Sequence, residues 1–209
     1  VWEELRKGDI RSRGFDLNGL WSPWYTHHKV LAGLLDAYHL TGNKKAITVA
    51  EKFADWAIDL TKDLTDEQWQ KMLGTEYGGM NDSLAELYAV TGKQKYLDLS
   101  RKFYDRVVLD PLAEGKDSLP GKHSNTQIPK IIGLSRLYEL TGDPRDRKIA
   151  EFFWDRVVHH HTYVIGGNSN HEYLGAPDQL NDRLSSNTCE TCNTYNMLKL
   201  TRHLFEWSP

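Results

Sequence analysis

The sequence predicts an all-α fold of stacked helical hairpins, arranged as an α/α toroid of the (α/α)6-barrel type that is incomplete over these residues. Three observations predict it: an internal repeat of fifty residues, a Thr-Gly pair at the centre of each repeat, and apolar stripes of helical period on both sides of that pair. Tyr38-His-Leu-Thr41-Gly42, Tyr88-Ala-Val-Thr91-Gly92 and Tyr138-Glu-Leu-Thr141-Gly142 mark the repeat. Leu34, Leu84 and Leu134 keep the same register, as do Ala50, Ser100 and Ala150, and Phe53, Phe103 and Phe153. Leu204-Phe-Glu-Trp207 is a weaker fourth copy.

Each element follows in order. Before the first turn, Leu31, Leu34, Leu35 and Tyr38 fall on one helical face. Gly42, Gly92 and Gly142 suit the left-handed position that ends a helix. After the turn, Ala46, Val49, Ala50, Phe53 and Ala54 form a second stripe, and Pro144 suits the first turn of a new helix. Asp55, Asp105 and Asp155 recur with the hairpin and are expected to form hydrogen bonds between helices. Little alternates with a period of two, so long strands are not expected.

Hairpins of this size stack as an open solenoid or close into a ring. A ring is favoured because the helices before the turns carry small residues (Ala32, Gly33; Gly78, Gly79; Gly133), as crowded inner helices should. Their N-terminal ends also carry polar groups: Tyr25-Thr-His27-His28, Glu76-Tyr77-Gly-Gly79 and His123-Ser-Asn-Thr-Gln127. Polar groups converging on one rim make a pocket. Three or four hairpins do not complete a ring of six, so residues 1–209 are expected to be part of one barrel domain. A superhelical binding module is the alternative.

Composition narrows the partners. With 39% hydrophobic and 26% charged residues the chain can bury a core. A net charge of −3 gives no reason to expect nucleic acid or an anionic membrane. No apolar run approaches the roughly 18 residues of a membrane span. Val1-Trp-Glu-Glu-Leu5 is neither a signal peptide nor a start methionine, so a mature or truncated chain is expected and cellular location is not legible. Seven Trp and ten Tyr suit core packing as well as sugar stacking; Trp21 and Trp24, at the first rim, share that ambiguity.

An insertion at 162–187 breaks the repeat. Gly166-Gly-Asn-Ser-Asn-His-Glu172-Tyr173 reads as a loop, and Glu172, flanked by aromatic and small residues, reads either as a surface glutamate of an ordinary loop or as a carboxyl in a partly dry site with the raised pKa of a general acid. Cys189-Glu-Thr-Cys192 follows, at the start of a helical pattern. A helix N-terminus favours thiolate, the form that binds zinc. Glu190 and Cys192 are two apart and can both face one ion if the helix begins there. A redox pair or two buried structural thiols are the other readings. His159-His-His161 is expected to be a solvated, cationic helix end with weak metal affinity at most.

These residues together resemble a known family. Tyr25-Thr-His-His28-Lys-Val-Leu-Ala-Gly-Leu-Leu-Asp-Ala-Tyr38, Gly78-Gly-Met-Asn81, Asn125-Thr-Gln-Ile-Pro-Lys130, Gly166-Gly-Asn-Ser169 with Glu172, and Glu190-Thr-Cys-Asn-Thr-Tyr-Asn-Met-Leu-Lys-Leu-Thr-Arg202 are similar to glycoside hydrolase family 127, the bacterial β-L-arabinofuranosidases. The similarity runs from about Asn18 to Pro209. It implies a catalytic (α/α)6 barrel followed by β-sandwich domains, and retaining hydrolysis of terminal L-arabinofuranose in plant-type glycans. It also implies zinc held by one Glu and three Cys, one of which is the nucleophile. By motif, Glu190 and Cys192 match two zinc ligands and Glu172 matches the general acid/base. His28, Tyr77 and His123 lie near sugar-contacting positions.

The family's other two ligands form an adjacent Cys-Cys pair downstream, and no such pair occurs through Pro209. The chain by itself is therefore expected to be inert, with apolar surface exposed that invites self-association. Other α/α-barrel sugar enzymes, such as epimerases and unsaturated-uronide hydrolases, would need His or Asp constellations instead.

Overall fold

The computed structural model describes residues 1–208; Pro209, where the expected family resemblance ends, lies outside the described residues. The chain divides into two compact units, Val1–Asp105 and Arg106–Pro209.

The first unit opens with α1 (Trp2–Arg6) and an antiparallel meander of two-residue strands, β1 (Ser12–Arg13), β2 (Asp16–Leu17) and β3 (Leu20–Trp21). Ser12 pairs with Leu17, and Asp16 with Trp21. Five helices follow: α2 (Pro23–Thr41), α3 (Lys44–Thr61), α4 (Asp66–Leu73), α5 (Met80–Thr91) and α6 (Gln94–Lys102). The second unit holds α7 (Arg106–Ala113), α8 (Ser124–Thr141), α9 (Pro144–His160), one 3-10 turn at Asn181–Arg183 and α10 (Thr191–Trp207). Among the described residues no helix is long and apolar enough to cross a membrane.

The repeat is the hairpin. α2–α3, α5–α6 and α8–α9 turn at Gly42, Gly92 and Gly142, with φ of 69°, 68° and 73°. Each glycine N–H donates to the repeat tyrosine's carbonyl, on Tyr38, Tyr88 and Tyr138. Each repeat threonine hydroxyl donates back to the carbonyl four residues earlier, on Ala37, Leu87 and Leu137. Thr and Gly thus close the last turn together: the hydroxyl adds a second bond to the carbonyl four residues back, and the left-handed glycine delivers its N–H to the next carbonyl, an orphan of the helix end. Asn43 and Asp143 then cap α3 and α9 by accepting from backbone N–H groups two residues on.

Apolar stripes form the cores. In the first unit Trp24, Leu31, Leu84, Leu87, Tyr96 and Phe103 are buried, with Phe103 edge-on to Trp24 and to Trp69 at 5.3 Å. In the second unit Leu109, Ile128, Ile131, Ile149, Phe153 and Leu200 are fully buried. Phe103 ends its helix instead of continuing it, because α6 stops at Lys102 and the chain turns at Phe103, where φ is −79° and ψ is 59°.

Three expectations change. Gly33 is exposed on α2, and an added Cβ would meet no atom within 4 Å, so its smallness answers no crowding here. Of the repeat aspartates, Asp55 does pair across helices, with Lys95 of α6, but Asp155 pairs with His159 within α9. The histidine run is not a solvated cluster. Helical geometry fans the three rings apart, and they pair with three aspartates: His159 with Asp155, His160 with Asp178 and the buried His161 with Asp117. Exposed apolar side chains do occur on α10, at Tyr195, Leu198 and Phe205.

Two glycines in helical hairpins should respond oppositely to a methyl group. Gly33→Ala is expected to stabilise by about 0.5–1 kcal/mol, since it removes backbone entropy in open space. Gly92→Ala is expected to cost about 1–2 kcal/mol, since alanine resists positive φ. Urea titrations of both variants check the signs; a stabilised Gly92→Ala would show that the turn tolerates a right-handed ending.

Candidate active site

The insertion between α9 and α10 has little to bury except polar groups, so hydrogen bonds hold it. Its root is at the end of α9. There the Asp117 carboxylate accepts from His161 at 2.9 Å and from Arg156 at 3.0 Å, and from the Leu119 N–H through its other oxygen. Burial acts to raise the Asp117 pKa, but the bonds from His161, the Leu119 N–H and Arg156 outweigh it and hold the carboxyl below its ordinary range.

Further along, a buried polar lattice ties the loop to two helix N-termini. Ser124, the first residue of α8, donates through its hydroxyl to the Asn168 side chain at 2.7 Å. Asn193, in the first turn of α10, donates to the Ser169 hydroxyl at 2.9 Å and to the Asn168 carbonyl at 3.4 Å. Asn196 of α10 donates to Asn125 of α8 at 2.7 Å. These partners are buried or nearly so, and a buried amide without a partner would cost about 1–3 kcal/mol. The lattice therefore specifies one loop conformation.

That conformation is strained. Ser169, His171, Glu172, Asp178 and Cys189 all have positive φ, between 48° and 75°. Each such non-glycine residue costs on the order of 1 kcal/mol and persists where the surroundings over-determine it. Gly167 passes so close to Cys189 that an added Cβ would lie 2.9 Å from the Cys189 sulfur. The close approach, not a turn, is what requires glycine there.

The strained segments line one concavity of about 350 Å³, bordered by His171, Glu172, Ser186, Asn187, Cys189 and Glu190. The backbone carbonyl of Glu172 accepts from the Ser124 N–H at 2.8 Å, which fixes Glu172 to the start of α8. Its carboxylate accepts from His123 Nε2 at 2.9 Å. The Glu172 side chain is nevertheless 57% exposed, the surface setting of the two read from its neighbours in sequence and not the partly dry one. Tyr173, one of those neighbours, turns instead to the His123 ring, edge-on at 5.4 Å.

α10 does begin at Thr191, with Glu190 as its N-cap residue. The Glu190 side chain makes no capping bond and engages Cys192. The expected thiolate-favouring effect of the helix end is overturned. The hydrogen bond with Glu190, then burial, then the negative charges of Glu190 and Glu172 push the Cys192 thiol up, outweighing a bond from its own backbone N–H. Cys192 is exposed and Cys189 half-buried, both are free, and burial pushes the Cys189 thiol up as well. A buried structural pair is therefore not what forms.

Glu190 Oε2 is a buried carboxylate oxygen with no hydrogen-bond partner, beside an exposed sulfur. Such an orphaned oxygen next to a soft donor fits a zinc-type ion with these two residues as partial ligands. Among the described residues no group of three or more His, Cys, Asp or Glu converges to hold a metal.

His28 and Tyr77 belong to the first unit. His28, in the second turn of α2, is buried, and its Nδ1 accepts from the Gly79 N–H at 3.0 Å. The ring lies so close that a Cβ on Gly78 would sit 2.6 Å from Nδ1, which explains the glycine pair before α5. Tyr77 is fully buried and packs 5.7 Å from Phe103, so its ring forms part of the core of the first unit. Burial, and after it the Asp105 charge, raises its hydroxyl far above the ordinary range. Trp24 is likewise core, whereas Trp21 is 71% exposed beside Phe15.

Sequence reasoning assigned no role to Ser124, Asn168, Asn193 or Asn196. Their signal was present as Asn and Ser crowded at two helix starts, but small polar residues there suit ordinary caps equally well.

Comparison with known proteins agrees with the resemblance. The family model for the β-L-arabinofuranosidase GH127 catalytic domain matches residues 4–209. No curated protein matches. Among solved structures, a GH127 β-arabinofuranosidase superimposes with a TM-score of 0.66 at 22% identity, over 87% of this chain and 30% of that one. A glycoside hydrolase gives 0.68 at 17%, over 89% and 34%. A GH127 β-L-arabinofuranosidase from Geobacillus stearothermophilus T6 gives 0.65 at 16%, over 99% and 35%. The chain thus spans about a third of the length of these structures, and the likeness carries the all-α fold.

The root of the loop offers a test with a definite pH sign. A carboxyl whose folded pKa is lowered contributes stability above its unfolded value of about 3.8, lost as pH falls through the lower folded value. Asp117→Asn is expected to cost about 2–3 kcal/mol near neutrality by stranding two buried donors. Chemical denaturation should show that deficit shrinking as pH drops below about 3.8. A deficit independent of pH would mean that the Asp117 charge contributes nothing.

Proposed function

Because the chain belongs to the β-L-arabinofuranosidase GH127 catalytic-domain family, we propose that it forms part of a glycosidase that hydrolyses terminal β-L-arabinofuranosides with retention. The observation that carries the reading is the meeting of Glu172 and Glu190 around one concavity, with Cys192 close enough to feel the charge of both.

The chemistry divides between the two sides. A retaining hydrolysis needs a proton donor to the departing oxygen and a nucleophile on the opposite face of the sugar. Glu172 suits the first task. Its exposed carboxyl can reach a bound glycoside, give its proton to the glycosidic oxygen as the C1–O bond breaks, and later take a proton from the attacking water. On the other side Glu190 and Cys192 would hold zinc, and the Glu190 carboxylate accepts a hydrogen bond from the Cys192 thiol. When bound, zinc supplies a centre that keeps thiolate deprotonated at neutral pH and tempers its basicity. In this reading the attacking sulfur comes from an adjacent cysteine pair, which residues 1–209 do not contain. The substrate class is then a carbohydrate with terminal arabinofuranose.

The assay is release of an aryl alcohol from an aryl β-L-arabinofuranoside by the complete gene product, with the 209-residue chain run beside it. Hydrolysis by the former and none by the latter is expected. Glu172→Gln should lower turnover about 10²- to 10⁴-fold, and restoring a good leaving group should recover the bond-breaking step. Silence of the complete product across a broad glycoside panel would sink the reading. Full activity after Cys192→Ala would redirect it to another α/α-barrel sugar enzyme. Metal analysis gives a second expectation: Glu190→Gln and Cys192→Ser should each lower bound zinc, whereas Cys189→Ser should not.

A further inference from the structure

His123 makes two bonds that together determine where its proton sits. It is the N-cap residue of α8, and its Nδ1 faces the Thr126 N–H at 3.2 Å and the Thr126 hydroxyl at 2.8 Å. A backbone N–H can only donate, so Nδ1 must accept and carries no proton. The proton of the neutral ring is then on Nε2, the atom 2.9 Å from Glu172 Oε2. Few side chains can serve as N-cap acceptor and distal donor at once. A serine or aspartate cap would satisfy Thr126 but could not reach Glu172 with an N–H.

The same helix end grips Glu172 at two points. The Ser124 N–H holds its backbone carbonyl at 2.8 Å, and the His123 ring holds one carboxylate oxygen. Tyr173 closes against the imidazole edge-on, and the backbones of His123 and Tyr173 form an isolated antiparallel bridge. A glutamate side chain on an exposed loop at positive φ has many rotamers to lose, and this clamp selects one of them.

We infer that His123 is a positioning residue for Glu172: capped into the Nε2–H tautomer by Thr126, it holds Oε2 and leaves Oε1 to carry the proton exchanged with the glycosidic oxygen. The inference rests on the glycosidase reading and deepens it. It gives His123 a task beyond contact with the sugar, of the kind a third group performs when it orients an acid or base. The proton on Nε2 stays with His123 throughout; the proton that moves is the one on Oε1, which passes to the leaving oxygen in the first step and returns from water in the second.

Two near-isosteric variants separate the cap from the clamp. The Asn amide reaches about as far as Nδ1, so His123→Asn keeps the cap and removes the donor to Glu172. The Gln amide reaches about as far as Nε2, so His123→Gln keeps the donor and removes the cap. In the complete gene product, kcat/KM, which reads the bond-breaking step and not the later attack of water, is measured on an alkyl or methoxyphenyl arabinofuranoside, which needs protonation to leave, and on a dinitrophenyl arabinofuranoside, which does not. His123→Asn is expected to lose about 10- to 100-fold on the first substrate and little on the second, with KM and melting temperature nearly unchanged. His123→Gln should recover most of the lost turnover while melting lower. Equal losses on both substrates, or a rise in KM alone, would overturn positioning in favour of a structural or sugar-binding role. If the complete product hydrolyses no arabinofuranoside, the glycosidase reading itself has failed, and the tautomer still decides the clamp. Nitrogen-15 NMR of the His123 ring should show protonated Nε2 and unprotonated Nδ1, and a proton on Nδ1 would overturn the inference whatever the activity.

Discussion

Everything in the candidate site depends on a polar constraint: the insertion between α9 and α10 must satisfy its own amides against two helix starts. Ser124 on α8 and Asn193 on α10 bond to Asn168 and Ser169, while the segment sends only Tyr163 and Leu174 into buried apolar positions. Hydrogen bonds are directional, so a lattice of them selects one backbone path where apolar packing would tolerate several. That path carries Glu172 and Cys189 through positive φ, and it is why a strained segment can present reactive groups in a reproducible place.

The helical hairpins provide the platform. Each ends its first helix with the same Thr and Gly, so successive hairpins keep one design. In the second unit the helix starts of α8 and α10 lie side by side, joined by Asn125 and Asn196, and the loop rests on both. Helix starts present unpaired N–H groups, and here these are consumed by a cap side chain and a loop carbonyl: the Thr126 N–H donates to the His123 ring, and the Ser124 N–H to the Glu172 backbone carbonyl.

The electrostatics of the site run against the helix end. Glu190 and Glu172 surround Cys192 with negative charge, and this outweighs the backbone's preference for thiolate. Two carboxylates beside one sulfur are the arrangement that the proposed zinc would relieve. The orphaned Glu190 oxygen is the same statement in hydrogen-bonding terms. Both support the zinc proposed for this site.

The sequence by itself determined the helical class, the hairpin period and the turn positions, because these depend on local chemistry: helical stripes, and a glycine able to take positive φ. It also determined the start of α10, from the polar residues before an apolar pattern. Only the tertiary structure decided burial and partnership. Tyr77 and Trp24 went to the core, Glu172 went to the surface beside His123, and the three histidines parted to three aspartates. No local rule distinguishes these outcomes, since an aromatic or a carboxyl at a helix start suits core, surface or site alike. What separates them is the distance to residues forty or more positions away, such as His28 to Gly79, His123 to Glu172 and Asp117 to His161, which only packing sets.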